Sequence, residues 1–399
     1  MLIYSCNDKI KVSDKLDSIF RRGSLNMSKQ YLIFVDNLRI LLMVLVILVH
    51  LAITYGAPLG SWYYHEGHPG MIQSLIYISF LAVNQSFFMG FFFMISGYFT
   101  PGSYERKGAW CFFRDRLRRL GIPLLFYVIL IDPVINYALE LSKGFEGSFL
   151  DFLGLYTASY DGLGSGPLWF VETLLIFAGF YILWRLLVKN TERVRIFPRN
   201  MTIAIFALLL GMVTFSVRIW FPIGWNFELL NLQFPFFPQY IAMFIIGLIA
   251  ARGNWFMQIS RNTGKFWFNT AVVLLMLFPV IIVVVMSVGD PNRFTGGLYW
   301  EAFLYALWEQ LIGVSIIIAL SVLFREKYNN QGRFAKSMSE TVYTVYIFHA
   351  PILVFLALGL RGIILPPLLK FVLVAPLAVS LCFALGYFIR KMPIARSIL

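Results

Sequence analysis

The chain has 399 residues, of which 59% are hydrophobic and only 13% charged, with a mean hydropathy of +0.75. Soluble domains sit near 45–50% apolar and about 25% charged, so the composition excludes a soluble globular fold and implies a polytopic membrane protein. The formal net charge of +13 invites a nucleic-acid reading, but the placement of the basic residues removes it.

Residues 1–30 are polar and basic, with neither the apolar core nor the small-residue cleavage site of a signal peptide; they read as a cytoplasmic tail. Ten apolar stretches follow, at about 32–56, 72–100, 119–140, 167–184, 201–221, 236–251, 266–288, 300–323, 340–360 and 366–389. The predicted fold is all-α: a membrane bundle of about ten transmembrane helices over 31–390, then a short cytoplasmic tail, 391–399. An even number of crossings puts both termini on one side. The segments facing that side hold 28 of the 33 lysines and arginines, leaving Lys143, Arg218, Arg293, Arg361 and Lys370 opposite. The positive-inside rule then makes both termini cytoplasmic and the protein a multi-pass component of the cell membrane. The basic charge is mostly topology, and no nucleic-acid partner follows from it.

In the first stretch ten apolar residues, Ile40 to Val49, separate Arg39 from His50. At about 100° per residue, eleven steps come to about 20° past three full turns, so both side chains share one helix face, roughly 16 Å apart. Asp36, three residues before Arg39, is placed to pair with it. A titratable imidazole near mid-membrane suggests function. The stretch 72–100 holds Asn84, Gln85, Ser86 and Ser96, which must find partners inside the bundle. Pore lining and interhelical bonding both fit Asn84 and Gln85, while Gly90 and Gly97 permit close helix contact.

Next comes Cys111-Phe-Phe-Arg114-Asp-Arg116-Leu-Arg118-Arg119, just before Pro123. Such a cluster serves as positive-inside charge against anionic lipid, or as a site for a phosphorylated donor, because a guanidinium fork pairs two oxygens at once. Arg116 and Arg119 share a face at i, i+3, and Arg114 belongs to the same candidate set. Glu172 lies five residues into the span that opens at Pro167, either as a snorkelling carboxylate or as support for a polar acceptor. The loops at about 141–166 and 222–235 read as connectors or as receivers of a polar substrate. His349, in Tyr346-Ile-Phe-His349-Ala-Pro351, is the only other histidine in a span, a core hydrogen-bonder or a second proton-transfer group. His65 and His68 miss the zinc-protease spacing by one residue, so no metal site is expected; P-loop, dinucleotide and nucleophile-elbow motifs are missing too.

These residues together resemble the acyltransferase-3 membrane family. The likeness runs over about 31–390: the Arg39–His50 spacing, Phe92-Phe93-Met-Ile-Ser96-Gly97-Tyr98-Phe99, the arginine cluster before Pro123, Leu168-Trp169-Phe170 with Glu172, and Tyr346-Ile-Phe-His349 occur in the family's order. Asp36-Asn-Leu-Arg39 and Trp62-Tyr63-Tyr64 resemble the branch that includes glucan biosynthesis protein C. The resemblance implies O-acylation of a glycan or other hydroxylated envelope acceptor, with a cytoplasmic acyl-CoA of the acetyl or succinyl class as donor and no permanently bound cofactor. It makes His50 the catalytic base or transient acyl carrier and gives Arg39, Arg116 and Arg119 the donor phosphates; Glu172 and His349 join His50 as catalytic candidates. A neutral histidine suits this chemistry, since it can take the proton of a hydroxyl as that hydroxyl attacks a thioester. The competing readings are a transporter or flippase without acyl-transfer chemistry, and a lipid-binding assembly component.

Overall fold

The computed structural model describes residues 32–57, 62–158, 164–188 and 194–398; the tail expected at 1–30 lies outside them. Among the described residues the fold is all-α, and the only strand-like pairing is an isolated bridge between Phe227 and Leu232.

Nine stretches among the described residues are long and apolar enough to cross a membrane, one fewer than the sequence suggests. The difference lies in Met71–Ser142, a single helical run of 72 residues that contains both the 72–100 and the 119–140 stretches. As one straight helix it would be about 108 Å long, over three times the hydrocarbon thickness of about 30 Å. The run is instead broken at Gly108, whose φ of +72° only glycine adopts readily. Tyr104 and Phe112 have ring centroids 5.7 Å apart, and Lys107 Nζ reaches Asp115 Oδ2 at 2.8 Å. Residues eight apart on a straight helix are separated by about 12 Å, so the chain folds sharply there.

Helix α1 (Ile33–Thr54) is apolar on nearly every side, the pattern of a helix surrounded by protein. It packs against α3 (Phe88–Arg116), with α2 (Met71–Gln85) before it, and against three later helices of the chain. After α3 the backbone widens into π-helical turns at Leu117–Gly121 and Tyr127–Ile131 on either side of α4 (Ile122–Phe126). Such turns are common at functional sites because they re-aim side chains. Then come α5 (Asp132–Ser142), α6 (Phe149–Ala158), α7 (Trp169–Leu187), α8 (Asn200–Trp220), α9 (Phe237–Gly253), α10 (Arg261–Val288), α11 (Trp300–Lys327), α12 (Arg333–Gly359) and α13 (Pro367–Lys391). Helices α11, α12 and α13 complete the ring around α1.

The closest helix pair is α3 with α9. A Cβ at Gly97 would collide with the Phe244 carbonyl, and one at Gly247 with the Met94 carbonyl, so small residues bring these backbones together. Helices α8, α9 and α11 are joined by a buried polar network. Arg218 Nη2 lies 2.7 Å from Glu309 Oε2, Gln310 donates to the same carboxylate at 3.1 Å, and Gln239 Nε2 donates to Gln310 Oε1 at 2.9 Å and to the Ser86 carbonyl at 2.6 Å. In a medium without water these groups must satisfy one another, and doing so fixes the end of α2 against the bundle. By contrast α10 leaves most of its apolar side chains exposed, as a lipid-facing helix requires.

Candidate active site

Two cavities meet inside the ring of helices around α1. One, of about 600 Å³, is lined by His50 and the loop residues Trp62 and Tyr63. The other, of about 350 Å³, is lined by Arg39, Arg116 and Arg119. Helix α1 runs along both: Arg39 and Met43 face the arginine cavity, and Val46, Val49, His50 and Ile53 face the other. The spacing 39, 43, 46, 50, 53 is one helix face, so the expected track from Arg39 to His50 exists and has hollow space along it.

The structure brings together the two histidines that the sequence sets 299 residues apart. His349 on α12 is fully buried, and its Nε2 lies 3.2 Å from Nδ1 of His50. Its own Nδ1 is 2.7 Å from the Tyr346 carbonyl oxygen. A carbonyl only accepts, so Nδ1 of His349 carries that ring's hydrogen and Nε2 offers its lone pair. His50 must then donate from Nδ1, which leaves Nε2 of His50 as the basic nitrogen. The Tyr346 carbonyl thereby fixes the tautomer of His349, and the pairing turns Nδ1–H of His50 toward it. Trp62 stacks on the imidazole of His50, with ring centroids 4.1 Å apart and planes 23° from parallel, and further limits its rotation.

A second cluster lines the same cavity, and the candidate residues drawn from the sequence do not include it. Asp132 is buried and accepts hydrogen bonds from the phenols of Tyr63 and Tyr156 and from Asn136 Nδ2 at 3.2 Å. Tyr63 gives its hydrogen to Asp132, so Tyr127, 3.0 Å away, donates to Tyr63. Burial, with Tyr127 and Asp132 beside it, pushes the Tyr63 phenol well above its ordinary pKa, which keeps it a donor. The π-helical turn at Tyr127–Ile131 delivers both Tyr127 and Asp132 inward. The signal was present in the sequence: an ionisable residue, Asp132, inside an apolar stretch. Asn226, Glu228, Asn231 and Gln233 of the 222–235 loop and Gln85 of α2 complete the polar lining. Gln85 also donates to Tyr240 Oη at 2.9 Å, whereas Asn84 bonds back to the Phe80 carbonyl at 2.7 Å. Of the two, Gln85 faces the cavity and Asn84 does not.

In the arginine cavity, Arg39 pairs with Asp36 at 3.5 Å, Arg119 with Asp115 at 3.3 Å, and Arg116 lies over the Phe112 ring at 5.0 Å. Exposed pairs of this kind are weak, so the guanidiniums remain available to an anion. Tyr343 Oη donates to the Arg119 carbonyl at 2.6 Å and fixes that turn. Arg114 is exposed and is not among the lining residues. Glu172 is buried on α7, with Oε2 unpaired, and lines neither cavity; the face of α7 bearing Phe170, Val171 and Leu174 turns to the arginine cavity instead. The structure therefore joins His50, His349 and three arginines along one path and leaves Glu172 and Arg114 off it.

The family model described as an acyltransferase domain, acyltransferase-3, matches residues 32–387. The chain belongs to that family. It is a multi-pass membrane protein. It is similar to the glucans biosynthesis protein C of Escherichia coli strain SMS-3-5 / SECEC, with 27% identity over 229 residues, 54% of this chain and 57% of the relative. The proteins of the same name from Escherichia coli O1:K1 / APEC and O9:H4 (strain HS) match at the same identity and coverage. The chain thus spans a little over half the length of these relatives. No solved structure matches it.

Proposed function

We propose that this protein is an acyltransferase acting on oxygen, moving an acyl group of the acetyl or succinyl class from cytoplasmic acyl-CoA to a hydroxyl of a glycan or similar envelope acceptor on the far side of the cell membrane. The observation that carries the reading is His50, held by His349 with one ring nitrogen free, at the junction of two cavities of opposite character. The cavity with Arg39, Arg116 and Arg119 has no acidic residue in its described lining and suits the phosphates of a CoA head group. The cavity with Asp132 and Glu228 has no lysine or arginine in its described lining. Its indoles, phenols, amides and carboxylates suit a hydroxyl-rich neutral acceptor. The relatives carry glucans in their name, which favours a glucan as acceptor. Both termini then lie in the cytoplasm with the arginine-rich ends of the helices.

In the reaction the acceptor hydroxyl gives its proton to Nε2 of His50 as its oxygen attacks the thioester carbonyl. The new C–O bond forms, the C–S bond breaks, and the proton passes to the departing thiolate. The products are an ester and free CoA. The two substrates meet from opposite faces, so neither the charged CoA head group nor the polar acceptor has to cross the bilayer.

The test is His50→Ala in purified protein supplied with acetyl- or succinyl-CoA and a linear glucan oligosaccharide. Loss of a general base lowers the rate by about 10²–10⁴-fold, read as thiol release and as the mass of the acylated sugar. Membrane insertion is expected to be unchanged. Wild-type thiol release by the His50→Ala protein rules the proposal out.

A further inference from the structure

The two cavities adjoin at two shared side chains. Among the described residues, Met89 on α3 and Tyr346 on α12 are the only two that line both, and both are buried. On α3, Phe88 faces only the acceptor side and Phe92 only the donor side, so the wall there is Met89 itself. On α1 the lining passes from Met43 to Val46, about 4.5 Å along the axis. The wall between the cavities is thus one side chain thick.

Its two members differ in mobility. Tyr346 is tied at both ends: its hydroxyl donates to the Pro167 carbonyl, and its own carbonyl accepts from His349 Nδ1 at 2.7 Å. Moving it would disturb the histidine pair. Met89 has no polar tie and three rotatable side-chain bonds, which lets a thioether swing aside. On the acyl-CoA reading above, the acyl group travels ahead of the thioester and must slip between these two side chains to bring its carbonyl to His50.

We infer that Met89 is a mobile gate between the donor and acceptor cavities, admitting slender acyl groups and holding back those branched next to the carbonyl. The inference rests on the acyl-CoA reading for its ligand, but the gate has a signature that needs no catalysis. Steric selection of this kind in an apolar slot is worth about 10- to 200-fold per methyl-sized obstruction.

Two measurements test it. In the first, Val46→Cys, beyond the wall, and Met43→Cys, before it, are modified by a membrane-impermeant methanethiosulfonate reagent added on the arginine side of oriented vesicles. Rates are corrected with the protein lacking either substitution. Met89→Ala should speed modification at position 46 by at least about tenfold and leave position 43 unchanged, which also reports an intact fold. Met89→Leu, close in volume but stiffer, should slow it. Equal rates at position 46 in all three proteins overturn the gate. In the second, thiol release is compared for butyryl-CoA and isobutyryl-CoA with the glucan oligosaccharide. Wild type should favour the linear donor by at least about tenfold, and Met89→Ala should bring the ratio to about threefold or less. An unchanged ratio overturns the selectivity. A wild type that consumes neither donor, nor acetyl- or succinyl-CoA, with position 46 still gated by Met89, overturns the acyl-CoA reading and the acyl part of this inference while leaving the wall itself in place.

Discussion

Replacing His349 separates its two possible roles, packing partner and setter of the His50 tautomer. The 3.2 Å contact between His349 Nε2 and His50 Nδ1 is the bond that keeps the hydrogen of His50 on Nδ1. In His349→Leu the shape is roughly kept, but Nδ1–H of His50 loses its side-chain acceptor. An unsatisfied buried donor costs about 1–3 kcal/mol. The imidazole escapes that cost by moving its hydrogen to Nε2, which removes the base. The productive tautomer is then disfavoured by roughly 5- to 150-fold, and kcat should fall by that factor. KM for acyl-CoA should stay constant, because the arginines are untouched. His349→Gln can present a side-chain oxygen to Nδ1–H of His50 and should recover most of the loss. The assay is steady-state thiol release from acyl-CoA in detergent or vesicles, with thermal unfolding measured alongside. Wild-type kcat in His349→Leu, or equal losses in the Leu and Gln proteins at equal stability, would refute the tautomer argument.

Three further outcomes are expected. Arg116→Gln with Arg119→Gln should raise KM for acyl-CoA by roughly tenfold or more, with little change in kcat and a smaller effect at high salt; Arg114→Gln, away from the cavity, should do much less. Arg218→Met alone should lower stability by about 3–5 kcal/mol by stranding Glu309, whereas Arg218→Met with Glu309→Leu should cost far less, as read by thermal unfolding. Gly97→Val should separate α3 from α9 and reduce the yield of folded protein, since its Cβ meets the Phe244 backbone, while Gly102→Ala in an open part of the same helix should not.

Most of the crossings were legible because a span is a local property: enough apolar residues in a row to match the bilayer. The count differed by one at Met71–Ser142, where the fold at Gly108 depends on contacts such as Tyr104 with Phe112 and Lys107 with Asp115. The shared face of Arg39 and His50 was legible for the same local reason, because helical periodicity alone puts residues eleven apart in line. Glu172, read as a snorkelling carboxylate or as support for a polar acceptor, is buried on α7 outside the described lining of either cavity. Its depth in the helix follows from the sequence, but the direction α7 faces depends on its neighbours.

By itself the sequence determined the class of molecule, the first helix with its histidine and its arginine, and the arginine cluster before Pro123, since each is written within a few turns of one helix. The tertiary structure alone decided that His349 is the partner of His50, that Asp132 gathers Tyr63 and Tyr156 from separate segments, and that Met89 and Tyr346 lie between two cavities. Those contacts join residues from distant parts of the chain. In a bilayer the choice of neighbours rests on close packing and on polar groups satisfying one another across helices, and neither can be read from one helix at a time.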